Sequence, residues 1–265
     1  MTGYALVMLK SDAVHQRLTG PVLGWLAARG FTPVRYRELV LTPSLRGQLY
    51  ETTRTDGKLD WELNALLYTM APVRAILLTH DGDDAPGRLS GELKGSFLPT
   101  RTRPGTLRYA IGALHPICTL VHAADDDERV GRESEVLFRD RSTVVDSASL
   151  DALTTAGAEV ATPTPLWPTM REVLSVLVGP VGELAWPSAD VGPTASAMRT
   201  VADTTAAIVE RLPDGAARLL TGARDGTVGY SEWDHGSGPH RVGPTYVTYT
   251  TLRYLDLCLE ADSVG

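Results

Sequence analysis

The chain has 265 residues, 43% of them hydrophobic and 22% charged, with a formal net charge of -7. That length and composition suit a globular protein with a real core, built as one large domain or two small ones. The acidic balance lacks the basic footprint that a nucleic-acid backbone demands, so nucleic acid is excluded as the expected partner, while local basic pockets for a small anion are not.

Taken in chain order, the first apolar run ends at Lys10 and is too short for a signal-peptide core or a membrane span, so a cytoplasmic protein with no membrane partner is expected. Cys118 and Cys258 stand far apart in apolar surroundings, the pattern of a reduced cytosolic protein. Tyr4 to Leu9 reads as a buried strand that delivers Lys10 to a polar turn. Val22, Leu23, Leu26 and Ala27 repeat at helical spacing between Thr19 and Arg29, and Gly30 closes that helix. Phe31 to Leu41 alternates as a strand, and Thr42-Pro43-Ser44 starts a short helix that carries Tyr50. Asp60 to Met70 is a further helix, and the Val, Ile and Leu run Val73 to Thr79 is a central strand.

Arg88 to Leu93 continues as a helix, and the loop after it concentrates Arg101, Arg103 and Arg108 among prolines. Ile117 to Val121 reads as a short strand ending at His122, followed by a helix from Asp125 to Phe138 whose first-turn acids suit the positive end of its dipole. The expected local order is strand, histidine, helix.

Farther on, Ser147 to Ala156 can form a short helix, ATPTPLWPTM reads as a linker, and Thr194 to Leu212 is a long amphipathic helix stopped by Pro213-Asp214-Gly215. A glycine-rich tract carries Trp233, Asp234, His235 and His240. Those residues can be read as a metal site or as a second loop against substrate, and since the spacing fits no strong ligand motif, no metal ligand is assigned. The tract is neither GxxxxGK nor a GxGxxG after a strand, so no nucleotide-binding glycine loop is present.

Three stretches carry a resemblance. YALVMLKSDAV is similar to the start of nucleoside diphosphate kinases, where an apolar strand runs into Lys-Pro-Asp-Gly-Val; PGTLR resembles the family's PGTIR; and VHAADDDERVGRESEVLF resembles its active-site stretch of histidine turn and helix. Their order and spacing agree over about the first 140 residues. The resemblance implies a ferredoxin-like βαββαβ domain over 1–142 and stops there; residues 143–265 are read as a C-terminal α+β extension of unknown fold that could serve as a substrate lid or cap, giving an α/β protein in two parts. The resemblance also implies a phosphotransferase that passes the γ-phosphate of ATP through a phosphohistidine, with nucleotides as partners and Mg2+ held mainly by the nucleotide's phosphates. A homo-oligomer is open, since family members assemble as hexamers or tetramers.

Carried over by position, His122 falls on the phosphorylated histidine, Glu133 on the glutamate that orients it, Lys10 on the lysine at the transferred phosphate, and Tyr50 on the tyrosine beside the histidine. Arg88 and Arg108 fall on the phosphate-binding arginines, Trp61 near the aromatic that stacks on the base, and Thr119 where an asparagine meets the sugar hydroxyl. The chemistry supports the pairing independently: neutral imidazole is nucleophilic near pH 7, and a carboxylate on its other nitrogen fixes the tautomer. Ser11, Ala13, Thr119, Ala123 and Ala124 depart from the family pattern, and Lys94, Ser96 and Thr100 are alternative stand-ins for its phosphate-binding threonine. These departures leave two alternatives to a nucleotide acceptor: a specialised phosphorylated acceptor, or a catalytically degenerate nucleotide-binding regulator or scaffold.

Overall fold

Strand β1 (Thr2–Leu9) sets the layers of the fold. Its residues Ala5, Val7 and Leu9 join one apolar cluster and Leu6 and Met8 another, because successive side chains of a strand point to opposite faces. Both clusters are closed to solvent, so β1 is apolar on both faces. The computed structural model describes residues 2–15, 17–53, 59–68, 72–97, 102–113, 118–139, 143–146, 149, 152, 200, 203, 204 and 207. Of the expected helix Thr194 to Leu212, residues 200, 203, 204 and 207 are helical, and the linker and the tract with Trp233, Asp234, His235 and His240 lie outside the described residues.

After β1 come α1 (Ser11–His15), α2 (Thr19–Ala27), β2 (Phe31–Leu39), α3 (Pro43–Leu49), α4 (Leu59–Leu67), β3 (Val73–Asp81) and α5 (Ala85–Gly87). A π-helical turn (Arg88–Leu93), α6 (Leu107–Ala110), β4 (Val121–Ala123), α7 (Asp127–Phe138) and β5 (Thr143–Val144) complete the described elements. The sheet runs β4-β1-β3-β2-β5, every neighbouring pair antiparallel. Without β5 this is the ferredoxin-like βαββαβ order, with the Val73–Asp81 strand central as its composition predicts. β5 begins just past residue 142 and pairs Thr143 and Val144 with Tyr36 and Arg35, so the first residues of the extension are part of the sheet.

One helical layer places Val22, Leu23 and Leu26 of α2, Ala85 of α5 and Leu89 of the π-turn on the Ala5, Val7 and Leu9 face. The other places Leu49 of α3 and Val130, Val136, Leu137 and Phe138 of α7 against Leu6 and Met8. Each large side chain buried this way contributes about 1.5 to 3 kcal/mol. The helix starts follow local chemistry. Thr42 accepts the N–H of Leu45 ahead of Pro43, and Asp126 accepts the N–H of Arg129, each satisfying an amide that the first helical turn leaves open.

The strand expected over Ile117 to Val121 forms elsewhere. Cys118 to Leu120 are irregular, β4 starts at Val121, and His122 sits inside it. The reason is Leu120, whose φ of +64° is left-handed. A leucine there costs about 1 to 3 kcal/mol of local strain and cannot continue a strand, so extended pairing begins only after it.

Candidate active site

The sheet register opposes His122 to Met8, and opposed residues share a face of the sheet. His122 therefore faces the α3 and α7 layer. There its Nε2 lies 2.7 Å from Oε2 of Glu133. On α7, Val130, Glu133 and Leu137 fall on one buried face, so a carboxylate only 2% exposed interrupts an apolar row. Such a group is costly to bury without partners. His122 supplies one, and Arg132 Nη2, 3.5 Å from Oε1, supplies a second. With the carboxylate on Nε2, that nitrogen is assigned the ring proton and Nδ1 keeps its lone pair.

Tyr50 follows α3 directly and sets its ring 5.3 Å from the imidazole at 74°. Its hydroxyl lies 2.8 Å from that of Tyr68, and burial pushes it up to about 12, so it stays neutral. Trp61 meets the Tyr50 ring edge-on at 6.1 Å. Arg46 covers one face of the indole at 4.0 Å and donates to the Trp61 carbonyl at 2.9 Å, so one side of the expected stacking platform is already taken.

Lys10 stands at the end of β1, 6% exposed, with Nζ 3.3 Å from both Asn64 Oδ1 and Thr119 Oγ1. Burial pulls its ammonium below the ordinary lysine value, and Asp12 opposes the shift. Asp12 Oδ1 accepts the N–H of Ala13 and its Oδ2 that of Leu120, while the Lys10 amide donates to the Leu120 carbonyl at 2.8 Å. The strained peptide two residues before His122 is thus held by both of its polar groups.

Arg108 is drawn into the same region but is largely committed. Its guanidinium donates to the carbonyls of Thr119 (3.1 Å), Gly95 (2.9 Å) and Val121 (2.6 Å). Gly95 has φ of +87°, and a Cβ there would come within 2.6 Å of Thr106 Oγ1, so the loop that offers this carbonyl needs glycine. A guanidinium has five N–H donors, so two remain for a ligand. Burial draws Arg108 down to about 10, which leaves it charged near pH 7. Arg88 is exposed at the first position of the π-turn, and among the described residues no hydrogen bond or ion pair joins it to the His122 cluster.

The π-turn instead brings in Lys94, whose amide reaches the Leu89 carbonyl at 2.7 Å and whose Nζ lies 3.4 Å from the Ala123 carbonyl and 3.3 Å from Asp125 Oδ1. Burial lowers the Lys94 ammonium, and Asp125 opposes this. Of the other stand-ins, Ser96 gives its carbonyl to Thr102 and Thr100 lies outside the described residues. Spacing along the chain does not single out Asp12, Asn64 or Tyr68. The available signal was that Trp61, Asn64 and Tyr68 lie three and four residues apart, on one face of α4 and its continuation.

Besides His122, the side chains gathered here are lysine, arginine, threonine, amide and phenol donors that suit phosphate oxygens, while the carboxylates of Glu133, Asp12 and Asp125 are each engaged by protein donors rather than grouped as a Mg2+ cage. Among the described residues no group of three His, Cys, Asp or Glu converges as metal ligands, and no helix is long and apolar enough to cross a membrane. A family model for nucleoside diphosphate kinase matches residues 4–143, just over half of the chain. The chain belongs to the nucleoside diphosphate kinase family. The nucleoside diphosphate kinase of Sulfolobus acidocaldarius is 26% identical over 136 residues, 51% of this chain and 88% of that protein. That of Rhodopirellula baltica is 34% identical over 133 residues, 50% of this chain and 84% of that protein. A structure of a halophilic nucleoside diphosphate kinase from Halobacterium salinarum in complex with CDP compares at a TM-score of 0.48 and 22% identity, over 58% of this chain and 99% of that one. Membership of the nucleoside diphosphate kinase family supports a nucleotide-dependent phosphotransferase function, and the family match stops at residue 143.

Proposed function

We propose that this chain moves the γ-phosphoryl group of ATP, or another nucleoside triphosphate, through a phosphohistidine at His122 to a nucleoside diphosphate or a specialised phosphorylated acceptor. The observation that carries the reading is the 2.7 Å pairing of His122 Nε2 with the buried carboxylate of Glu133. In the first half-reaction the Nδ1 lone pair attacks the γ-phosphorus. The N–P bond forms as the O–P bond to the nucleoside diphosphate breaks, and the diphosphate leaves with the bonding pair. In the second, a terminal phosphate oxygen of the acceptor attacks and the N–P bond breaks, returning neutral imidazole.

The Glu133 carboxylate accepts from Nε2–H and offsets the positive charge that grows on the ring, and the Tyr50 ring packs against the imidazole. Lys10 and the two remaining N–H groups of Arg108 stabilise the transferred oxygens, with Arg88 on the outer phosphates. Trp61 stacks on the base through the face Arg46 leaves, and Thr119 lies on the sugar side. No residues of this chain are assigned to Mg2+, which would be held by the nucleotide's own phosphates and would supply charge neutralisation there. We assign this chemistry to residues 1–142 and a lid or cap over the acceptor to residues 143–265. The specialised acceptor is supported by Thr119, whose Oγ1 receives Lys10 where the family offers an asparagine to the sugar, and by Ala123 and Ala124, which remove the small polar turn after the histidine.

A second reading, a degenerate nucleotide-binding regulator or scaffold, is favoured by one observation: Arg108 spends three donors on backbone carbonyls. Initial-rate kinetics separate the two. Parallel double-reciprocal lines for ATP against a panel of diphosphates support transfer through the enzyme; nucleotide binding with no turnover of any diphosphate supports the regulator.

A further inference from the structure

Arg132 precedes Glu133 on α7 and connects two supports of the histidine. Its Nη1 donates to the Gln48 carbonyl at 2.9 Å, and Nη1 and Nη2 each lie 3.4 Å from the Leu49 carbonyl. These carbonyls end α3, where the helix leaves acceptors that need donors from elsewhere. The next residue is Tyr50, whose ring stands against the imidazole. The same guanidinium places Nη2 3.5 Å from Oε1 of Glu133, the carboxylate oxygen that His122 does not use.

One planar fork therefore touches both the end of the helix that sets Tyr50 and the carboxylate that sets the ring proton. We infer that Arg132 is a positioning residue for phosphoryl transfer, acting on His122 through Glu133 and Tyr50. A surface brace of the same geometry would change stability alone. Arg132 is 28% exposed, so its ionic contact with Glu133 is partly screened and its stability share small; its effect lies in orientation. Lysine carries the charge but cannot reproduce the fork across Gln48, Leu49 and Glu133.

The inference rests on the phosphohistidine reading, and its test separates the two. In the nucleotide-free full chain, 15N spectra of the histidines report which ring nitrogen carries the proton. Wild-type His122 is expected as the Nε2–H form and Arg132→Met as a mixture of both tautomers. The rate of phosphoryl labelling from γ-labelled ATP should fall by about tenfold or more in Arg132→Met, with Arg132→Lys between the two. The ATP concentration for half-saturation should stay within about twofold. An unchanged tautomer and a labelling rate within about twofold of wild type overturn the inference, whatever happens to the melting temperature. If Arg132→Met does not fold, the spectrum and rate of Arg132→Lys decide in the same way. A wild-type protein that takes no label counts against the phosphohistidine reading, while the nucleotide-free spectra still decide the placement of the ring by Arg132.

Discussion

Asp12 Oδ2 accepts the backbone N–H of Leu120 across 3.0 Å, and the leucine it holds is in a left-handed conformation two residues before His122. Strain of this kind persists only where the surroundings over-determine it. Asp12→Ala leaves that buried amide without its acceptor, and a loss of about 1 to 3 kcal/mol is expected in denaturant unfolding. Phosphotransfer should fall with it, because Thr119 and Val121 flank the same peptide. Asp12→Asn keeps an acceptor and should lose less of both.

Burial holds the Lys10 ammonium below its ordinary 10.5. The unfolded chain therefore binds the proton more tightly than the folded one. The burial penalty is full at low pH and lifts as pH rises from the lowered folded value towards 10.5. Activity runs the opposite way, since an anion pocket needs the charged form. The pH profile of kcat/KM for ATP should show an alkaline limb below the usual lysine range. That limb should be missing in Lys10→Met, and its persistence there would assign it to another group.

Tyr50→Phe removes one hydroxyl from the buried pair with Tyr68 and leaves the ring against His122. The orphaned Tyr68 hydroxyl should cost about 1 to 3 kcal/mol by thermal or denaturant unfolding. Labelling from ATP should remain within about threefold of wild type, because the ring contact rather than the hydroxyl positions the imidazole. A tyrosine pushed up to about 12 does not ionise across the working range, so the variant should leave the pH profile unaltered.

Much of this arrangement is legible in the chain. The apolar run into Lys10, the capped start at Thr42-Pro43 and the acid-led helix to Phe138 each follow from local patterning, and the eleven-residue separation of His122 and Glu133 matches their meeting. What patterning missed comes from the register and from backbone exceptions. The pairing of Met8 with His122 decides which layer the histidine faces, and nothing local to either residue states it. Nothing in the sequence around Leu120 signals its positive φ, so apolar patterning puts the strand before the histidine rather than around it. Arg108 matched a phosphate ligand by position, yet the three carbonyls it meets belong to loops whose paths are set by tertiary packing. Asp12 lies just past β1 and works as the clamp on the left-handed Leu120.

Glu133→Gln replaces a 2% exposed carboxylate with a neutral group of the same shape. Stability should change by no more than about 1 kcal/mol, since burying the charge already offsets much of its attraction to partners. Labelling should nevertheless fall by about 10²-fold, because the imidazole loses the charge that stabilises it as the N–P bond forms. Equal, small losses in both measurements would make Glu133 a packing residue.

The central claim is that His122 carries the phosphoryl group. It is tested most directly by the intact mass of the full chain after incubation with ATP and Mg2+, followed by mapping of the modified peptide. One added phosphoryl group on His122, discharged by a diphosphate acceptor and absent from His122→Ala, is the predicted result. Label on another residue, or turnover that survives His122→Ala, would contradict it.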